Sequence, residues 1–288
     1  MTAASAPAPV PRPQAPVPRP RFSVVVPALD EADTIAACLV SLLAQTVEGG
    51  VEIIVADNNS SDATAEVARS FGVIVVGAPL PGVCHARQEG TEHARGEIIV
   101  SADADTTYEP GWLAGIDAYL RAHPDHVAVG GPCTFDDGPA WSAVYTSILF
   151  GAVHRIHRIT GRTLYVSATN LAFRRDAWTG YDVELTQGGD ELDLLRKLRL
   201  QGPVGFQLVH PSHSSARRMT RGFAYSFAVT FLYYYALGYG LNRLLGRTVV
   251  GTAPAIRPTA ARPRRHWLPA FATVLALVAL SYLGWVSM

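Results

Sequence analysis

The stretch Val100-Ser101-Ala102-Asp103-Ala104-Asp105 is a short apolar run that ends in two carboxylates one residue apart. If the run is a strand that continues through the acids, Asp103 and Asp105 point the same way, because side chains repeat every second residue along a strand. Two adjacent carboxylates form half of a site for a hard divalent cation, and diphosphate oxygens can complete the coordination shell. The stretch therefore predicts a strand end that holds a nucleotide through a metal ion.

Strands of the same kind recur upstream, and helical patterns separate them. The expected strands cover Val24–Val26, Ile53–Val55, Val73–Val76 and Ile98–Val100. A helix is expected over Val83–His93. This alternation predicts an α/β fold, Rossmann-like, with a mostly parallel and doubly wound central sheet.

Acidic residues follow three of the four expected strands. Ligands of an open parallel sheet bind beyond the carboxyl ends of its strands, where the loops converge. A single acid at such a place is most often a helix cap, whereas three on one edge indicate a site. The acids are Asp30-Glu31, Asp57, and Asp103 with Asp105.

The overall composition limits the class of partner. The chain has 288 residues, enough for one large α/β domain with appendages. Its 24 Lys and Arg residues balance 24 Asp and Glu residues, so we expect no nucleic-acid partner. Three cysteines, odd in number and far apart in the sequence, are typical of a reducing compartment.

Hydrophobic residues make up 49% of the chain and charged residues only 17%, which prompts a search for membrane segments. Residues 267–288 carry no charge, and aromatic residues near both ends fit interfacial anchors, so they predict a transmembrane helix. A buried core helix is the alternative. Residues 222–242 form a second uncharged run, whose tyrosines favour an interfacial position.

The arginines between the two apolar runs set the expected topology. They are Arg243, Arg247, Arg257, Arg262, Arg264 and Arg265. Positive loops stay cytoplasmic, so two crossings would put the preceding domain outside, away from the cytosolic nucleotide that the strand-end acids predict. We therefore expect one C-terminal span in the cell inner membrane with the α/β domain in the cytoplasm, and a two-span hairpin is the alternative.

Four segments are expected along the chain. Residues 1–21 hold seven prolines and form a disordered tail. Residues 22–221 form the α/β domain. Residues 222–266 form an interfacial aromatic segment with a basic linker, and residues 267–288 form the predicted transmembrane span. Residues 145–159 pattern as a basic amphipathic helix, either resting on anionic lipid or lying on an ordinary surface near the acceptor cleft.

Six motifs occur in one order along the chain. They are Val26-Pro27-Ala28-Leu29-Asp30-Glu31, Val55-Ala56-Asp57-Asn58-Asn59-Ser60-Ser61-Asp62, Ala86-Arg87-Gln88-Glu89-Gly90, Asp103-Ala104-Asp105, Asn170-Leu171-Ala172-Phe173-Arg174-Arg175 and Gly189-Asp190-Glu191-Leu192-Asp193-Leu194. Over residues 22–215 this ordered set resembles the inverting family 2 glycosyltransferases, which use nucleotide-sugar donors on a fold called GT-A. The resemblance implies a hexosyltransferase-like enzyme.

The resemblance also implies a donor pocket. Pro27 and Glu31 would shape the nucleotide pocket, and Asp57 would accept a hydrogen bond from the base, commonly uracil. Arg87 would lie near the base or the diphosphate, and Asn170 would lie on the acceptor-side strand as a substrate-binding residue. A UDP-sugar is therefore the expected donor, with GDP and dTDP donors as alternatives.

A metal site follows from the same resemblance. Asp105, with Asp103 supporting it and the ribose, would hold Mn²⁺ or Mg²⁺ against the diphosphate. The late metal-ligand histidine of related enzymes would be His210 or His213. The pair Arg217-Arg218 would reach the diphosphate or form a solvated basic pair. The metal would stabilise the charge of the leaving nucleoside diphosphate.

Glycosyl transfer to a hydroxyl also needs a base, because an acceptor hydroxyl is a poor nucleophile at neutral pH. In the family the base is the second acid of a pair that begins a helix, and the matching position is Glu191. The usual order of the pair is reversed here, so Asp190 remains the alternative base. Asp193, about half a turn round the helix, is expected to be structural.

The Gln-x-x-Arg-Trp motif of processive members does not occur in the chain. We therefore expect transfer of a single sugar to a membrane-associated or lipid-linked acceptor. Two alternatives remain: a polyprenyl-phosphate sugar synthase, in which the acceptor needs little base catalysis, and a noncatalytic membrane scaffold that binds nucleotide sugar.

Overall fold

The computed structural model describes residues 19–184 and 190–251. The predicted transmembrane helix 267–288, and the predicted Pro-rich tail apart from residues 19–21, lie outside the described residues. No helix in the described part of the chain is both long enough and apolar enough to cross a membrane.

Ten strands and seven α-helices form within these residues. The strands are β1 (Phe22–Ala28), β2 (Val51–Asp57), β3 (Ile74–Gly77), β4 (Ile98–Ser101), β5 (Thr106–Tyr108), β6 (Ala128–Gly130), β7 (Cys133–Thr134), β8 (Leu171–Arg174), β9 (Val204–Phe206) and β10 (Ser212–Ser214). The helices are α1 (Ile35–Leu43), α2 (Thr64–Ser70), α3 (Val83–His93), α4 (Trp112–Ala122), α5 (Ala140–Thr160), α6 (Asp190–Gln201) and α7 (Tyr239–Leu245). A π-helical segment, Tyr225–Gly238, precedes α7.

Seven strands make the central sheet, in the order β3-β2-β1-β4-β8-β6-β9. The strands β3, β2, β1 and β4 are parallel neighbours, whereas β8 runs antiparallel to both β4 and β6. The predicted α/β fold with a mostly parallel sheet is therefore confirmed. A second sheet has the strand order β5-β10-β7, and its three strands all follow β4 in the sequence.

Alternation along β1 divides the core into two layers, one on each face of the sheet. Val24 and Val26 belong to a cluster that includes apolar residues of α1 and α4. Val25, between them, belongs to a second cluster with apolar residues of α6. Side chains of a strand point alternately to its two faces, so both faces of β1 are covered.

Helix α3 lies unusually close to the sheet. A Cβ atom added to Gly90 would come within 2.6 Å of Val25 Cγ1 on β1. Only glycine permits this approach, which carries the preceding turn of α3, including Arg87, towards the carboxyl end of β4.

Candidate active site

A cleft opens where β1 and β4 separate. Their pairing ends at Val25 and Ser101, and the Ala102 amide donates to the Val25 carbonyl at 3.0 Å. Strand β1 continues beside β2 as far as Ala28. Alternate residues of a strand face the same neighbour, so Pro27 faces the β4 side past the last pair, where its missing N–H removes no ladder bond.

Asp57 is the last residue of β2, which pairs with β1 on the side away from β4. Its Oδ1 atom is buried and has no hydrogen-bond partner among the described residues. An unsatisfied buried acceptor is unfavourable until a donor pairs with it, so this oxygen suits the N–H of a ligand.

Asn58, beside Asp57, was not among the site residues predicted from sequence. Its amide donates to the carbonyls of Ala78 at 2.8 Å and Leu80 at 2.6 Å, and its Oδ1 accepts from the Gly82 amide at 2.8 Å. These bonds hold the loop before α3 against the end of β2. An Asn directly after a strand is a turn-forming signal that points to such a role.

The loops after β1 and β2 are joined to each other. Asp30 has a positive φ of 50°, which an Asp tolerates, and its carboxylate accepts from the Ser61 amide at 2.6 Å. The Glu31 amide donates to Thr64 Oγ1 at 2.8 Å. Asp30 therefore fastens the pocket wall, and the Glu31 carboxylate is left to face the site.

Arg87 is the centre of a buried charge cluster. Its side chain is 3% exposed. Its guanidinium donates to Asp103 Oδ1 at 2.5 Å, to Ser101 Oγ at 2.5 Å and to the Ala102 carbonyl at 3.1 Å. Its Nε lies 2.7 Å from Asp190 Oδ2 as an ion pair that lacks hydrogen-bond alignment.

The guanidinium joins the strand-end acid Asp103 to Asp190 at the start of α6. That Arg87 lies near the base or the diphosphate stays a prediction. Burial opposes its charge, but Asp103 and Asp190 outweigh burial and raise the pKa of Arg87, so it stays cationic.

Two acids of the site also have raised pKa values, which favours their neutral form. Burial raises the pKa of Asp103 to about 6, Arg87 opposes this, and the charges of Asp105 and Asp190 add to it. Burial also raises the pKa of Glu191 well above its usual range, and Asp190 raises it further. Asp190 and Glu191 are each 7% exposed at the start of α6. Such shifted carboxyls in one cleft are typical of a functional site.

A second arginine, Arg217, closes the outer side of the cleft. Its Nη2 donates to Asp105 Oδ2 at 2.7 Å, and its Nη1 donates to Glu31 Oε2 at 3.0 Å. The Ser215 amide also donates to the Asp105 carbonyl at 3.1 Å. Glu31, expected only to shape the nucleotide pocket, is therefore linked through Arg217 to the expected metal ligand Asp105.

The two candidate histidine ligands are engaged elsewhere. His213 Nδ1 lies 2.6 Å from Asp136 Oδ2, and its Nε2 lies 3.3 Å from Glu109 Oε1. The His210 ring packs on α4, where a Cβ at Gly115 would come within 2.5 Å of it. Within the described part of the chain, no bond or ion pair joins either ring to Asp103 or Asp105.

Asn170, expected to bind substrate, forms hydrogen bonds that link α4 to two neighbouring loops in the structure. Its Oδ1 accepts from Trp112 Nε1 at 2.9 Å, and its Nδ2 donates to the carbonyls of Pro132 at 2.9 Å and His210 at 3.1 Å. The residue is 4% exposed. These bonds let Asn170 position the surrounding loops, and its contact with substrate stays a prediction.

Asp193 fits the structural role expected for it. It is 1% exposed and forms ion pairs with Arg196, Lys197 and Arg243 at 3.2, 3.0 and 2.8 Å. Arg243 belongs to α7, so this acid also ties α7 to α6.

The donor set at the end of β4 fits a divalent cation. In the described residues no three His, Cys, Asp or Glu side chains are grouped closely enough to hold a metal ion by themselves. Asp103 and Asp105 offer carboxylate oxygens only, which suit Mg²⁺ or Mn²⁺ when a diphosphate supplies further oxygens. The arginines already paired with these acids show that the place accepts positive charge.

Comparison with known proteins gives a consistent result. The model of the family described as glycosyl transferase family 2 matches residues 23–180. Glycosyltransferase AglE of Haloferax volcanii is 29% identical over 179 residues, covering 58% of each chain. The low-salt glycan biosynthesis hexosyltransferase Agl6 of the same organism is 29% identical over 181 residues, 57% of this chain and 41% of Agl6. The chain thus spans about half the length of these relatives.

Solved structures with the same fold include two nucleotide complexes. TarS of S. aureus with UDP has a TM-score of 0.58 at 16% identity, covering 70% of this chain and 62% of TarS. Glucosyl-3-phosphoglycerate synthase of Mycobacterium tuberculosis with Mg²⁺ and UDP has a TM-score of 0.53 at 21% identity, covering 82% and 81%.

Replacing the buried guanidinium should be severely destabilising. Arg87→Met leaves Asp103 and Asp190 buried without their cation, so we expect the free energy of unfolding to fall by about 3–5 kcal/mol. Arg121→Met is the matched control, because Arg121 is 55% exposed and its partner Asp117 keeps Arg21, so its loss should destabilise the fold far less.

The pH dependence of the free energy of unfolding, measured with denaturant, gives a second comparison of Arg87→Met with Arg121→Met. Without Arg87 the pKa of Asp103 rises further above its unfolded value, so protonation favours the fold. The Arg87→Met deficit should therefore shrink as the pH falls through this raised pKa. A deficit equal to that of Arg121→Met at all pH values would contradict the described cluster.

Proposed function

The chain belongs to glycosyl transferase family 2, and from this premise we propose that it transfers a single sugar from a nucleotide-sugar donor, with inversion, to a lipid or lipid-linked acceptor. The observation that carries the proposal is the Arg87 cluster. It joins Asp103, at the end of β4, to Asp190 at the start of α6, directly beside the candidate base Glu191. A polyprenyl-phosphate sugar synthase and a noncatalytic scaffold are the alternatives.

The proposed donor is a UDP-sugar. The buried, unpartnered Oδ1 of Asp57 supports this, because it suits the imide N–H of uracil. TarS and glucosyl-3-phosphoglycerate synthase, which share the fold, are complexed with UDP. Pro27 and the loop that contains Glu31 would form the remaining walls of the nucleotide pocket.

The proposed cofactor is Mn²⁺ or Mg²⁺, held by Asp105 and Asp103. Such an ion, when bound with the diphosphate, stabilises the negative charge that the leaving group develops. His210 remains a proposed ligand only if its ring leaves α4. Arg217 has to release Asp105 before that carboxylate can coordinate a cation, and the diphosphate offers the guanidinium a replacement anion.

We assign the base to Glu191. Arg87 lies against Asp190, so Asp190 is committed to positioning the start of α6. The Glu191 carboxylate would take the acceptor proton as the acceptor oxygen bonds to the anomeric carbon. The bond from that carbon to the diphosphate oxygen breaks on the opposite face, which gives inversion.

Residues 267–288 would anchor the enzyme as a single span in the cell inner membrane, with the catalytic domain in the cytoplasm. Their lack of charge and the arginines before them support this topology. The domain would then meet donor from the cytosol and acceptor from the bilayer.

Donor binding can be tested by thermal stability of the full chain in detergent, against UDP-glucose, UDP-GlcNAc, GDP-mannose and dTDP-glucose, with and without Mn²⁺. A ligand that binds only the folded state adds about 2.7 kcal/mol at 100 times its dissociation constant. We expect a Mn²⁺-dependent shift with one UDP-sugar that is absent from Asp103→Asn/Asp105→Asn. If folded protein shows no shift with any donor, the donor site is wrong.

The base can be tested with Glu191→Gln. Loss of general-base catalysis should lower kcat by about 10²–10⁴-fold, while the donor-induced thermal shift is kept. In the native enzyme activity should fall as the pH drops through the raised pKa of Glu191, above the usual carboxylate range, because only the deprotonated form accepts the proton. Glu66→Gln, on exposed helix α2, is the control.

Two results would redirect the assignment. A near-native rate for Glu191→Gln would favour the polyprenyl-phosphate acceptor, which brings its own anionic nucleophile. A donor shift without turnover of any acceptor, in native protein and variants alike, would favour the scaffold.

The exchange at Asp105 predicts an effect of Arg217 on cation binding. Arg217→Met removes the guanidinium that competes for Asp105, so Mn²⁺ should bind about tenfold more tightly in the absence of nucleotide. The same variant should bind UDP less tightly, because the diphosphate loses its cationic partner. Free Mn²⁺ measured by electron paramagnetic resonance reports both effects. Unchanged nucleotide-free Mn²⁺ affinity would disprove the exchange.

A further inference from the structure

Helix α5 carries an exposed apolar stripe along its 21 residues. The helix packs inwards through Thr146, Phe150 and Val153, which are buried. On the outer side Val144 is 59% exposed, Ile148 67% and Ile159 78%. Spacings of four and eleven residues place these side chains on one face of the helix, over a length of about 22 Å. Large exposed apolar side chains grouped on one face are unfavourable in water and mark a contact surface.

The charges around the stripe indicate what covers it. No Asp or Glu occurs from residue 138 to residue 175. Arg155, Arg158 and Arg162 lie on the exposed side of α5 and the turn after it, and none forms an ion pair within the described residues. An apolar stripe flanked by cations, on a helix that itself carries no acid, is complementary to an anionic lipid surface.

A second element extends the same surface. Trp141, at the start of α5, packs edge to face against Phe223 with ring centroids 5.4 Å apart, and Phe223 is 53% exposed. These rings, with Tyr145 and Met219, line a cavity at this end of the helix. Phe223 also begins the uncharged, tyrosine-rich run 222–242. Aromatic rings of this kind concentrate at membrane interfaces.

We infer that α5 lies flat on an anionic bilayer, with Val144, Ile148 and Ile159 in the boundary between headgroups and acyl chains and the arginines among lipid phosphates. The partner is the bilayer surface itself. This inference concerns where the domain docks and does not depend on the proposed sugar transfer.

The docked helix would lead to the candidate active site. Asp137, just before α5, accepts from the Ala216 amide at 2.7 Å. The next residue, Arg217, donates to Asp105. The docked helix would therefore be connected to Asp105 through only these few contacts. A lipid-linked acceptor in the bilayer could then reach the candidate site.

A fluorescent probe on Ile148→Cys tests the docking in the full chain. Cys38, Cys84 and Cys133 are buried free thiols whose pKa burial raises, so they should resist labelling. The control is Ser70→Cys, exposed on α2, which packs on β2 and β3 at the other edge of the sheet. Both labelled proteins are reconstituted in vesicles of phosphatidylcholine alone or with phosphatidylglycerol, with nitroxide-bearing lipid as quencher.

The fluorescent probe is NBD, whose emission shifts to shorter wavelength in an apolar environment. In vesicles with phosphatidylglycerol the probe at residue 148 should emit at shorter wavelength than the probe at residue 70, and nitroxide lipid should quench it at least about twofold more. Arg155→Glu/Arg158→Glu should lower the docked fraction about tenfold or more, as should high salt. These variants change only exposed residues, and native unfolding temperatures would show that they fold.

Equal quenching of the two probes in folded protein would overturn the inference. So would a shielded probe at residue 148 that lipid nitroxide does not quench and that depends on protein concentration, because this would show a second copy or another protein on the stripe.

Discussion

The Arg87 guanidinium, buried among carboxylates, is the constraint on which the arrangement of the site depends. A buried cation is costly unless anions and hydrogen bonds replace its water, and here Asp103, Asp190, Ser101 and the Ala102 carbonyl do so. These partners come from the end of β4 and the start of α6. Because each requires the same guanidinium, the end of β4 and the start of α6 hold one relative position.

The two arginines of the site differ in a way that suits different tasks. Arg87 is 3% exposed and stays in place as a permanent counter-charge. Arg217 is 22% exposed, and its partners Glu31 and Asp105 face the cleft. A partly solvated arginine can exchange anions at little cost, whereas a fully buried one cannot. Arg87 therefore fixes the geometry of the site, and Arg217 is free to exchange its anionic partners.

The acids carry a net excess of negative charge that two guanidinium groups only partly offset. Burial raises the pKa values of Asp103 and Glu191, and repulsion between the excess negative charges raises them further. The excess also explains why the place suits a divalent cation brought in with a diphosphate. In the proposed reaction the same repulsion keeps Glu191 basic enough to accept a proton.

The sequence by itself determined the alternation of strands and helices, because apolar periodicity is local; the expected helix 83–93 coincides with α3, and the expected strands overlap β1 to β4. It also identified the acids at the strand ends, since parallel topology brings those ends to one edge. Only the tertiary structure decided the partners of the acids. Arg217 meets Glu31 across 186 residues of chain, and Asn170 is turned inward by Trp112. Such pairings depend on which loops meet in space, and no local pattern encodes that.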